Sequence, residues 1–71
     1  MTNLYILEEV LSDYTSGMAV IAAESKDAAR AIWIEEFGEY HAKDFDEYAE
    51  FKVIEGVNHP AGLVAHVYGG S

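Results

Sequence analysis

The sequence predicts a two-layer α+β domain, an antiparallel sheet in the order β-β-α-β-β with one main helix packed on one face. Three observations carry that expectation. Four segments are apolar or alternating over strand lengths, and one segment between them switches to a helical period. The stretches joining the first two strands and the last two are too short for parallel crossovers, so two hairpins are expected.

The first strand is NLYILEEVL, residues 3–11. Leu4, Ile6, Glu8 and Val10 share one side, and Tyr5, Leu7, Glu9 and Leu11 the other, so its first half is apolar on both. The segment from Ser12 to Gly17 has turn composition and leads into GMAVIAAE, a second strand over residues 17–24. Ser25 suits a helix N-cap, and Asp27 falls where the helix dipole favours an acid. Ala28, Ala29, Ile32, Trp33 and Phe37 then form one stripe of a helix over 26–37, with Gly38 as its C-cap. Asp44 and Glu47 fit a capping box, which predicts a short helical turn over 45–49. Residues 51–55 alternate as a third strand, with Phe51 and Val53 on one side. Pro60 marks a loop over 56–62, and Leu63 to Tyr68 is the last strand. That strand is expected inside the sheet, because residues 56–71 contain no Asp, Glu, Lys or Arg. Gly69, Gly70 and Ser71 read as a frayed tail. One helix covers one side of a sheet, so the other meets solvent or a partner.

Seventy-one residues make one domain, 1–71. A 51% hydrophobic content is too high for a disordered chain, and the absence of Cys excludes disulfide and zinc-thiolate scaffolds. No apolar run approaches the roughly 18 residues of a membrane helix. The opening Met1-Thr2-Asn3 lacks the basic region of a secretory signal, so a cytosolic location is expected. A domain this small buries only about 60% of its unfolded surface and needs nearly all its large apolar residues for one core. An enclosed substrate pocket would compete with that core, so a binding surface is expected rather than an enzyme, with no cofactor.

Thirteen acids against four bases give a net charge of −9, which repels nucleic acid and anionic membrane and attracts basic surfaces. The charge is concentrated in EEFGEYHAKDFDEYAEF, residues 35–51, which holds seven acids, one Lys and five aromatic residues. Carboxylates pair with Arg and Lys, and aromatic faces stack on guanidinium groups. The candidate partner-binding residues are therefore Glu35, Glu36, Glu39, Asp44, Asp46, Glu47 and Glu50, with Tyr40 and Tyr48 as amphipathic anchors. A helix continuing one turn past Gly38 would offset Glu35 and Glu39 by about 6 Å along its axis. Two steps along a nucleic-acid strand rise about 6.8 Å. The competing reading is a solvated acidic face with Phe37, Phe45 and Phe51 in the core.

His41 and Asp44 are spaced three apart, and His59 and His66 lie farther on, but no HxxxH or HExxH pattern marks a metal site. Ser12, Thr15, Ser16 and Ser25 all have turn or cap readings, and neither a G-x-S-x-G elbow nor a glycine-rich phosphate loop is present.

The opening TNLYILEEV, the turn DYTSG and the strand-to-helix join AVIAAESKDAARAIW resemble small phage and mobile-element proteins. Within that group the chain is most similar to small acidic anti-CRISPR proteins, over its first half and in its overall acidity. These inhibitors share no common motif, so no functional residue is carried over. The resemblance implies a protein of the host bacterial cytoplasm that binds a CRISPR effector complex, with multi-subunit type I targets favoured. It implies a block of target-DNA entry, PAM recognition or nuclease recruitment without chemistry. The partner would be a basic, DNA-handling surface met by a DNA-mimicking acidic face, and the chain itself a monomer or homodimer. The alternative is a structural or adaptor protein of a phage or mobile element, acting through an oligomeric sheet edge that includes Val64 and Val67.

Overall fold

The computed structural model describes residues 2–11 and 17–67. The turn expected over 12–16, the end of the last strand at Tyr68 and the tail 69–71 lie outside the described residues. Strands β1 (Thr2–Val10) and β2 (Gly17–Ala23) are followed by helix α1 (Lys26–Phe37). A 3₁₀ turn (Glu39–His41), a π-helical turn (Asp44–Tyr48) and strands β3 (Glu50–Val57) and β4 (Gly62–Val67) complete the fold. The four strands form one antiparallel sheet in the order β3-β1-β2-β4. The α+β class and the first hairpin are as the sequence predicts.

The second hairpin is not. β3 pairs with β1 and β4 with β2, so the last two strands occupy opposite edges, and β4 is an edge strand rather than an inner one. This placement brings Phe51 opposite Leu7 on one side and Leu63 opposite Ile21 on the other, so both widen the floor under the helix. The connection must cross the end of the central hairpin. Three strand spacings are about 14 Å, and the five steps from Val57 to Gly62 reach at most about 18 Å. The connection is therefore nearly taut. Thr2 tethers it, its hydroxyl donating to the carbonyls of His59 (2.7 Å) and Val57 (3.2 Å). Replacing Thr2 by Val is expected to destabilise the fold by about 1 kcal/mol in urea titration. Amide exchange should quicken most around His59.

The register of β1 changes near its end. Glu9 and Leu11 have positive φ of 63° and 51°, and the pairing with β2 shifts between Glu8 and Val10. This bulge overturns the simple alternation expected for the strand: Val10 turns inward to join Tyr5 and Leu7, while Glu9 is exposed. Left-handed backbone at non-glycine residues costs about 1–2 kcal/mol each. Burial of Val10 and Leu11, both almost completely enclosed, offsets it.

Helix α1 has the predicted bounds because its end chemistry is local. Ser25 Oγ accepts from the Ala28 amide at 3.1 Å, and Asp27 lies in the first turn. Gly38, at φ 90°, stops the helix while its amide still donates to the Ile34 carbonyl. The extra helical turn beyond Gly38, needed to stack Glu39 over Glu35, is not formed; Glu39 begins the 3₁₀ turn instead. Ala29 and Trp33 are fully buried, in one cluster with Ala19, Ile21 and Ala23 of β2.

The turn expected over 45–49 exists, displaced to Asp44–Tyr48 and wound as a π turn closed by the Ala49 amide on the Asp44 carbonyl at 2.8 Å. No capping box forms. Asp44 turns its carboxylate instead to the Leu11 amide, bracing the left-handed end of β1. The wider turn delivers Phe45 into the core, edge-on to Phe51 at 5.0 Å and tilted against Trp33 at 6.1 Å.

Candidate functional site

The structure divides the predicted acidic site into groups with different duties. Asp44 is half-buried and structural, holding the Leu11 amide at 3.3 Å and lying 3.4 Å from His41 Nδ1. Asp46 is engaged across the fold by Arg30 in a two-pronged pair of 2.9 and 2.8 Å. The guanidinium's hydrogen bonds hold the Asp46 carboxyl below its ordinary range, and the same bonds raise Arg30. A carboxylate lowered in this way favours the fold at pH above its ordinary value of 3.8, and that contribution disappears as pH falls below it. Both partners are exposed to solvent, so the effect is small and screened by salt. Acid titration of an Asp46→Asn variant should therefore show a slightly flatter loss of stability in that window than the parent chain. Glu47 sits 3.8 Å from Lys43, an exposed pair one helical turn apart.

The remaining acids are outward. Glu35 and Glu36 occupy the exposed side of the last turn of α1, Glu39 and Tyr40 the 3₁₀ turn, and Glu50 the start of β3. Tyr40 is 90% exposed and Tyr48 57% exposed. The side chains of Glu35, Glu36 and Glu50 make no hydrogen bond or ion pair among the described residues. The placement of Glu35 and Glu36 opposes local stability. A helix C-terminus carries partial negative charge, and each acid there costs about 0.3–1 kcal/mol. The last turn of α1 has no basic residue to offset them.

Asp44, Tyr48 and Glu50 do converge. They line a shallow, open depression beside β1, and its fourth member is Glu9, which the sequence reading left out. Regular alternation assigns Glu9 to the helix-covered side with Tyr5 and Leu7; the bulge exposes it. Two adjacent acids, Glu8 and Glu9, late in an apolar strand were the available sign, because strict alternation would force one of them inward. Glu35, Glu36 and Glu39 do not border this depression. Its acids sit on the β1–β3 side, while α1 ends near β4, where Phe37 meets His66 edge-on at 5.4 Å.

No group of three or more metal-ligating side chains is assembled among the described residues. Ser25 caps the helix and Thr2 tethers the crossing connection, so both described hydroxyls of this kind have structural partners. Ser12, Thr15 and Ser16 lie outside the described residues. No described helix is long and apolar enough to cross a membrane. The class defined by this fold and surface is a small α+β protein with two exposed acidic groups, one at the end of α1 and one beside β1 and β3. No family model, curated protein or solved structure matches the chain.

Proposed function

We propose that this protein is a non-enzymatic inhibitor of the anti-CRISPR kind, acting in the host bacterial cytoplasm. It binds a basic, nucleic-acid-handling surface of a CRISPR effector complex, type I favoured, and blocks target-DNA binding by competing with phosphate. One observation supports this above the others. Glu35 and Glu36 stand exposed at a helix C-terminus, against the dipole and without a compensating base. Carboxylates held at a cost to the fold are what a surface selected for binding cations contains. Glu39 and Tyr40 continue that surface along the chain, and Tyr48 and Glu50 offer a second acidic patch on the β1–β3 side, while Asp44 and Asp46 are engaged by the Leu11 amide and Arg30. Because such contacts replace released counterions, binding should weaken steeply as salt rises. A DNA-binding gel of a purified crRNA-guided complex, run with and without this protein at two salt concentrations, tests it. Relief of inhibition by salt supports phosphate competition, and inhibition indifferent to salt contradicts it.

A second reading has one observation in its favour. β4 is an edge strand and carries no charged residue, which suits a phage structural or adaptor protein assembling through that edge.

A further inference from the structure

The side of the sheet away from α1 breaks the usual rule for a half-covered antiparallel sheet, whose outward positions are polar. Cross-strand partners share a side, and the register lays this one out in three rows. Running from β4 to β3, the first row is Val67, Met18, Glu8 and Glu50. The second is Ala65, Val20, Ile6 and Lys52, and the third Gly62, Ala22, Leu4 and Ile54. Met18, Ile54 and Val67 are exposed, and Leu4, Ile6 and Val20 half-exposed. Among the described residues the rows hold Glu8, Glu50 and Lys52, gathered in one corner with Lys52 3.5 Å from Glu8, and Glu9 borders the same corner beside Met18 and Val67. With Glu9 counted, the side carries net −2 in a chain of −9.

We infer that this open side of the sheet is a self-association surface, and that its occupant is a second copy of the chain. The charge distribution selects the partner. A basic target surface laid here would lose hydration from its cations and gain almost no carboxylates in return. A second copy brings the same largely apolar rows and keeps most acids of both chains on the outer surfaces, with Glu8, Glu9 and Glu50 at one corner of the contact. Size agrees. Four strands about 4.8 Å apart and three rows about 6.7 Å apart span roughly 400 Å² in projection. Side-chain relief raises this toward the 600 Å² per partner of a small but specific interface. The two sheets would stack about 10 Å apart as a sandwich, with Glu50 at the edge of the contact and Glu35, Glu36 and Glu39 at the end of α1 left free. A dimer would then present two inhibitory surfaces, but self-association itself requires no target.

Sedimentation equilibrium of the purified full chain, from about 10 µM to about 1 mM, decides the matter because interfaces of this size are weak. The expected result is a mass rising from 7.8 kDa toward twice that value. Association should strengthen in about 1 M salt, where repulsion is screened. That is the reverse of the salt response expected for target binding, so the two claims fail separately. Ile54→Lys with Val67→Lys changes only exposed side chains and should weaken the dimer at least tenfold with the circular dichroism unchanged. A chain that stays monomeric throughout overturns the inference. So does a dimer indifferent to the double substitution, which would place the contact at the β4 edge or on the helix side.

Discussion

Changing Glu35, Glu36 and Glu50 together to Lys is expected to weaken target binding by roughly 100-fold or more while leaving the fold intact or slightly more stable. The net charge moves from −9 to −3. The three side chains are exposed and make no ion pair among the described residues, so no internal contact is lost. Two of the new cations would lie in the last turn of α1, where the helix dipole favours them by about 0.3–1 kcal/mol each. Stability and binding should therefore move in opposite directions. A structural role for these acids predicts that both fall together, and an idle solvated surface predicts higher stability with binding unchanged. Urea denaturation and a competition gel on the same preparation separate the three outcomes.

The second large effect is expected at Trp33. It is completely buried, 4.5 Å from the Phe37 ring, and its indole N–H donates to the His41 carbonyl at 2.7 Å. One side chain thus joins the helix, the 3₁₀ turn and the π-turn aromatics. Trp33→Ala should cost about 3–5 kcal/mol. A domain of this length is stable by only about 4–10 kcal/mol in total. The variant should be largely unfolded, or close to it, at room temperature by circular dichroism. Trp33→Phe keeps a ring but leaves the His41 carbonyl without its donor. A milder loss of about 1–3 kcal/mol is expected. If both variants unfold at the parent's urea midpoint, the core is not organised around this residue.

How far the sequence could be read follows from how local the determining physics is. Helix α1 was legible to the residue because Ser25, Asp27, the apolar stripe and Gly38 act within a turn of where they stand. The hairpin of β1 and β2 was legible because a short connection leaves little choice. The edges were not. Nothing in residues 56–62 says whether the chain turns back on β3 or crosses to the far side of β2. The hydroxyl that holds the crossing belongs to Thr2, more than fifty residues away. The lack of charge in β4 suggested an inner position, whereas the strand lies at an edge beside an apolar side of the sheet. The acids of the site were legible as composition, but their duties were not. Asp44 and Asp46 look like Glu35 and Glu36 in one dimension and differ because the fold gives the first two the Leu11 amide and Arg30. Glu9 reaches the surface through a left-handed residue, which a pattern of apolar and polar positions cannot register.

The most direct test of the account is a pull-down with the tagged chain from CRISPR-bearing bacterial lysate, followed by a target-DNA gel of the recovered complex with the parent protein and the triple Lys variant. The account predicts recovery of a crRNA-guided complex, loss of its DNA binding with the parent chain, and restored DNA binding with the variant. Recovery of no effector across several CRISPR types, or a variant that inhibits as well as the parent, would contradict it.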